Sequence, residues 1–238
     1  MKIIYLIILV IVGYAVFSYI RAVSILKSNP LPKITVESQT LGQGPSLVYV
    51  AAGDSIGVGV GASSNNSTYT YQIAQKLAET SQVSFYNVAV SGAKTEDVIN
   101  IQLDQIITLQ PDIITLSVGA NDITHLRTDQ TTINNLNKAI TILTSKTKAQ
   151  IYVANMPILK DAPLLPRLFR LILELKARKI NASLEKLSSD RVKIVPIHDF
   201  GWDQFPDIKI TFAKDQFHPS DIGYQNWTEA FLITMKLK

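Results

Sequence analysis

Cysteine is absent from all 238 residues. That excludes a disulfide scaffold, thiol catalysis and cysteine-ligated zinc, while leaving the cellular compartment open. Histidine is scarce. His125, His198 and His218 are scattered without HxxxH spacing, so no histidine-rich metal site is expected. A dominant charge of one sign is lacking too. The net charge of +4 is spread along the chain, and no basic run or basic helix stands out. Nucleic acid is therefore not an expected partner.

Charge is wholly missing from one stretch. Ile3 to Ile20 (IIYLIILVIVGYAVFSYI) runs for 18 positions without a charged side chain. As a helix it spans about 27 Å, close to the thickness of a bilayer's hydrocarbon core. The apolar region of a cleaved signal peptide is shorter, about 7–15 residues, and Ala22-Val23-Ser24 lacks the usual A-x-A form. Residues 1–27 are expected to form an uncleaved, single-pass membrane anchor. Lys2 precedes the run, and Arg21, Lys27 and Lys33 follow it, so charge counting alone favours a cytoplasmic C-terminal side. Its resemblance to a signal anchor favours export, and an extracytoplasmic domain is the expectation.

Residues 28–46 (SNPLPKITVESQTLGQGPS, with Pro, Gly and polar side chains throughout) read as a linker, leaving 47–238 as one globular domain. Within it, the predicted strands are Leu47–Ala52, Ser84–Val90, Asp112–Val118, Gln150–Asn155 and Val192–Ile197. Between them lie segments whose apolar residues recur at three- and four-residue intervals, as in amphipathic helices. Continuous apolar strands, each followed by a helix, imply a parallel sheet covered on both faces. The expected fold is α/β, a three-layer α/β/α sandwich around five parallel strands.

In such sheets ligands bind beyond the carboxyl ends of the strands. Three successive strand ends carry Gly53-Asp54-Ser55-Ile56-Gly57, Ser91-Gly92-Ala93 and Gly119-Ala120-Asn121-Asp122. A hydroxyl ringed by small and amide-bearing residues is what acyl transfer requires: a nucleophile with hydrogen-bond donors around the incipient oxyanion. A serine needs a base, usually a histidine oriented by a carboxylate. Asp215-Gln216-Phe217-His218 supplies both at a spacing that lets the carboxylate fold back onto Nδ1 and leaves Nε2 for Ser55. His198 is the competing base, but its neighbour Asp199 is not expected to pair with it across adjacent positions. A packing role at the strand terminus is expected instead. His125 follows the Asn121 turn and could border the site. Asp54 and Asp122 are expected to brace their turns.

These blocks, GDS at 53–55, VAVSGAKT around Gly92, GAND at 119–122 and DQFHPSDIG at 215–223, resemble those of the GDSL/SGNH hydrolase family, in the family's order and from about residue 47 onward. Ile56 stands where the family's name has leucine, a similarly apolar residue. The resemblance implies a flavodoxin-like fold, no metal or organic cofactor, and ester hydrolysis through an acyl-enzyme. It implies Ser55 as nucleophile, His218 as general base and Asp215 as its orienting partner. Ser55, Gly92 and Asn121 would form the oxyanion hole. Lipid, short-chain and carbohydrate O-acyl esters all fall within the family's range.

Two other readings compete. Residues 53–57 also satisfy G-x-S-x-G, the nucleophile elbow of α/β-hydrolases, although that fold places several strands before the serine. A catalytically inactive, membrane-anchored binding protein would be expected to lack a triad member, and none is lacking. Two regions could set substrate preference: the apolar, arginine-bearing Ala162–Leu173, and the loop Asp199–Phe212 with Phe200, Trp202, Phe205 and Phe212.

Overall fold

Apolar strands and capped amphipathic helices alternate along the computed structural model, which describes residues 2–35 and 38–237. Met1, Val36, Glu37 and Lys238, which fall in the expected anchor, linker and domain, lie outside the described residues. The chain begins with α1 (Lys2–Ser28), continues through a short strand β1 (Gln39–Leu41), and enters the domain at β2 (Ser46–Gly53). After β2 come α2 (Ser55–Val58), α3 (Tyr69–Leu77) and β3 (Gln82–Asn87). Then follow α4 (Thr95–Asp97), a π-helical turn (Val98–Gln102), α5 (Leu103–Leu109) and β4 (Ile113–Ser117). The remainder comprises α6 (Ala120–Thr124), α7 (Asp129–Lys146), β5 (Gln150–Ala154), α8 (Arg167–Leu184), β6 (Val192–Val195) and α9 (Asp221–Met235).

The sheet is six-stranded and mixed, in the order β1-β3-β2-β4-β5-β6. This corrects the expectation of five parallel strands. The parallel set β2 to β6 is present, but β1 adds to the free edge of β3 in antiparallel register, Gln39 opposite Phe85 and Leu41 opposite Val83. β1 arises inside the stretch read as a linker. Gly42 and Gly44, part of the composition read as a linker, turn the chain from β1 into β2 at φ +72° and +125°. A Cβ on Gly42 would lie 2.3 Å from the Ala78 carbonyl oxygen, so only glycine fits that turn.

Alternation along β2 divides the core. Val50 and Ala52 face the cluster built with Ile106 of α5, Leu136 and Leu143 of α7, and Ala177 and Ile180 of α8. Tyr49 and Ala51 face the other layer, with Ile73 of α3 and Trp227 and Phe231 of α9. Helix starts are fixed by side-chain caps. Thr68, Thr128 and Ser220 accept from the backbone N–H groups of Tyr71, Thr131 and Gly223. Tyr69 stacks on Phe231 and packs against Trp227, holding α9 to α3.

β3 and β4 leave from opposite sides of β2, so the strand order reverses at the carboxyl end of β2. That end is where Ser55 begins α2, the place where open parallel sheets bind their ligands.

Among the described residues one helix, Ile4–Ser28, is long and apolar enough to cross a membrane by length and composition. A signal sequence meets the same criteria. The helix leaves most of its large apolar side chains exposed.

Candidate active site

Ser55 is the first residue of α2, and Asp54 caps that helix through a bond from the Ile56 N–H to its carboxylate at 3.0 Å. The strand end feeding this turn is tightly specified. Gly53 has φ +132°, and a Cβ there would collide with the Ser117 carbonyl oxygen at 1.9 Å. Gln102 holds the same residue from the other side. Its side-chain carbonyl accepts from Gly53 N–H at 2.9 Å, and its amide donates to the Gly53 carbonyl at 2.8 Å. Gln102 closes the π-helical turn and is almost fully buried. Nothing in the sequence pattern singled it out.

Ser55 Oγ lies 2.9 Å from His218 Nε2, and His218 Nδ1 lies 2.5 Å from Asp215 Oδ2. The other carboxylate oxygen of Asp215 accepts the N–H groups of Phe217 and His218, each at 3.0 Å. Asp215 is thereby fixed by its own loop, with Nδ1–H of the imidazole donating to it and Nε2 left to accept from Ser55. Burial pushes the Asp215 carboxyl up, but the hydrogen bond and charge of His218, with the two amides, outweigh it and hold it below the usual carboxylate range. Phe217 stands edge-on against the His218 ring, centroids 5.2 Å apart. Two of the four sequence blocks, that of Ser55 and that of Asp215 and His218, thus meet at one site.

Asn121 lines the same cavity as Ser55. The Ser55 amide N–H is the first of α2, which has no acceptor within its own helix. Gly92 has φ +83°, and the space where a Cβ would sit is open. Asn121 uses one side-chain N–H on the Ala93 carbonyl at 3.0 Å, which orients the amide. Asp122 joins the two loops, accepting from Thr95 N–H at 3.0 Å and Thr95 Oγ1 at 2.7 Å. Asp54 and Asp122 brace turns as expected. Burial raises the Asp54 carboxyl to about 7, opposed by the Ile56 N–H and the charge of His218 and reinforced by Asp122.

His198 lies elsewhere. It is buried, with Nε2 2.9 Å from Glu174 Oε1 and Nδ1 2.7 Å from Asp199 Oδ1. The expectation that adjacent residues would not pair is corrected here. The exposed carboxylate of Asp199 folds back over the ring of its neighbour. Glu174 also accepts from the N–H groups of Leu159 and Lys160, so this network shapes the loop after β5. His125 is exposed, its Nδ1 2.7 Å from the Asn121 carbonyl oxygen. Among the described residues no group of three or more His, Asp or Glu side chains is placed to hold a metal ion.

A largely apolar cavity opens at Ser55 and His218. Its walls include Ile56, Ile158, Leu159, Ala162, Ile208, Phe212, Phe217 and Trp227. Trp202 and Phe212 of the aromatic loop line it, whereas Phe200 packs into the core and Phe205 borders a separate depression. From Ala162–Leu173 only Ala162 reaches the cavity. Leu165 and Leu173 are buried, and Leu168, Leu171 and Ile172 are exposed.

No curated protein sequence matches the chain. Solved structures do. A lipase from a goat rumen metagenome superposes with a TM-score of 0.62 at 21% identity, covering 81% of this chain and 100% of its own. A member of the lipolytic protein G-D-S-L family from Veillonella parvula gives 0.62 at 21%, covering 79% and 98%. A variant acetyl xylan esterase from Geobacillus stearothermophilus gives 0.61 at 17%, covering 83% and 97%. At these identities the likeness establishes the fold. The family model of GDSL-like lipases and acylhydrolases matches residues 51–225, from the last residues of β2 into α9. The chain belongs to the GDSL-like lipase/acylhydrolase family.

Proposed function

We propose that the protein is a membrane-anchored serine esterase that hydrolyses acyl esters through an acyl-enzyme intermediate. One observation carries this reading: the continuous chain Asp215–His218–Ser55, at 2.5 and 2.9 Å, at the mouth of an apolar cavity.

Ser55 Oγ attacks the ester carbonyl carbon as His218 Nε2 takes its proton, and Asp215 stabilises the imidazolium that forms. The carbonyl oxygen becomes an oxyanion that faces the N–H groups of Ser55, Gly92 and Asn121. As the tetrahedral intermediate collapses, the C–O bond to the alcohol breaks and His218 returns the proton to the leaving oxygen. Water then attacks the acyl-Ser55 carbonyl by the same route, releasing the acid and restoring Ser55. The apolar cavity walls suit the acyl part of the ester.

Helix α1 would anchor the domain, uncleaved, on the extracytoplasmic side. Only one parallel strand precedes Ser55, which favours this reading over the α/β-hydrolase one.

A fluorophosphonate probe tests the chemistry. It should form a covalent adduct on Ser55 of the intact chain and none on the Ser55→Ala variant. An unlabelled chain, inert towards acetyl and butyryl esters, would leave the inactive binding protein standing. Resistance to alkaline carbonate extraction tests the anchor. A soluble mature form beginning near residue 25 would identify a signal peptide instead.

A further inference from the structure

Helix α8 exposes an apolar face that a soluble helix would bury. Leu168, Leu171, Ile172 and Leu175 are 64, 64, 53 and 59% exposed. Their spacing of three, four and seven residues puts them on one side of the helix. The opposite side supplies Leu173, Ala177 and Ile180 to the core, so α8 is apolar on two faces and only one has a partner in the fold.

The unpartnered face begins where α8 meets α1. The Leu168 N–H donates to Tyr14 Oη at 3.3 Å. Arg21 donates to the Pro163 carbonyl at 3.3 Å and to Gln216 Oε1 at 3.4 Å. Tyr14 and Arg21 are about 10 Å apart along α1 at ~1.5 Å per residue. With α1 upright in a bilayer and Arg21 at its surface, Tyr14 would lie about 10 Å inside, close to the ~5–10 Å depth at which amphipathic helices bury their apolar side. Arg167 and Arg170 stand at the same end; Arg170 donates to the Leu165 and Pro163 carbonyls at 2.9 Å and is close enough to Arg21 and to Arg167 to feel the charge of each. Such a cluster beside an apolar face complements anionic phosphates at the bilayer surface.

We infer that the Leu168–Leu175 face of α8 lies in the headgroup–acyl boundary of an anionic bilayer, which sets the cavity mouth at the membrane and makes bilayer-resident acyl esters the substrate class. The inference rests on the esterase reading of the site and the anchor reading of α1. The connection is direct in the chain. Ala162 lines the cavity, Pro163 binds Arg21, and α8 follows in the same loop. Gln216, also held by Arg21, adjoins Asp215 and accepts the Leu164 N–H through its carbonyl. An acyl chain leaving the bilayer beside α8 meets the apolar walls Ala162 and Phe217 before it meets Ser55.

The absence of cysteine makes the test clean. Single variants Leu171→Cys, Leu175→Cys and, as a control at an exposed site, Lys186→Cys are labelled with an environment-sensitive fluorophore. Each full-length protein is reconstituted in phosphatidylcholine–phosphatidylglycerol vesicles. Lipid-borne doxyl quencher should dim positions 171 and 175 but not 186, and aqueous iodide should do the reverse. Iodide quenching of 171 and 175 to the level of 186 would overturn the inference. Protection from both quenchers would overturn it too, since that marks a protein-covered face, such as a second copy. In a second measurement, the Leu171→Glu/Leu175→Glu variant should lose about tenfold or more turnover of a vesicle-embedded ester. It should keep its turnover of a soluble acetyl ester. Equal turnover of the embedded ester by variant and parent would overturn the route from the bilayer. A parent inactive on both esters would overturn the esterase reading, and the quenching result would still decide the docking.

Discussion

Gln102 reads the main chain of Gly53 as a base reads its complement, accepting from the N–H and donating to the carbonyl of a residue 49 positions away. Both groups of Gly53 sit in the core, two residues before Ser55. Replacing Gln102 by Ala takes the side-chain acceptor from the buried Gly53 N–H, whereas the Gly53 carbonyl keeps the Val90 N–H at 3.0 Å. At about 1–3 kcal/mol for one unsatisfied buried donor, the expected loss of stability is about 1–3 kcal/mol. Urea unfolding of Gln102→Ala measures it. A loss below 1 kcal/mol would mean that water or the relaxed chain replaces the lost acceptor.

Ser55, His218 and Asp215 are expected to act as a unit. Ser55→Ala and His218→Ala should each cost about 10⁴ or more in kcat, and the double variant should be no worse than either single one. Asp215→Ala should cost less, because its loss leaves an imidazole in place but misoriented. Steady-state kinetics on a butyryl ester checks the series. Additive losses in the double variant would show that the two residues work independently.

Asn121 already spends one N–H on Ala93, so its amide plane is set before any ligand arrives. A donor fixed in this way acts most strongly when negative charge develops. Asn121→Ala should lower kcat about 10²–10³-fold with little change in KM. A raised KM with kcat preserved would make the side chain a ground-state contact.

Asp54 links stability to pH. Its folded value is raised to about 7 by burial, against 3.8 for the free group. Below pH 3.8 the carboxyl is protonated in both states. Between 3.8 and about 7 the unfolded chain releases the proton while the folded chain keeps it, so stability falls as pH rises. Above about 7 the folded chain must ionise a buried group, and the contribution is gone. The difference across this window is on the order of 4 kcal/mol. Asn at position 54 does not titrate and can still accept from Ile56. Relative to the parent, Asp54→Asn should therefore become more stable as pH rises from 4.5 to 8. Urea unfolding at the two values provides the comparison, and a constant offset would contradict it.

Signals within a few residues of one another were the ones legible in the sequence. The Gly-Asp-Ser turn, the GAND turn and the D-x-x-H loop are each short blocks, and the parallel strands between them announced themselves as apolar runs. What escaped depends on partners far along the chain. Strand β1 is three residues long, too short for any periodicity, and exists because β3 offers it an edge. Gln102 is an ordinary residue in a helical pattern until the π-helical turn aims it at Gly53. Glu174 read as a charge on an amphipathic helix. In the fold it is buried, bound to His198, Arg178 and two amides of the loop bordering the cavity. The two sides of α8 were equally hidden, because leucine at helical spacing does not say which face finds the core.

Ser55 and His218 are separated by 163 positions, and the loop carrying His218 is held by α9, which follows it. A ribosome delivers the serine long before the histidine. The nascent polypeptide therefore carries an unactivated hydroxyl through most of its synthesis. Trp227 and Phe231 pack against Tyr69, so the docking of α9 on α3 is what would bring His218 to Ser55. On the proposed reading the enzyme would be silent during translation, and its activity would report that α9 has docked.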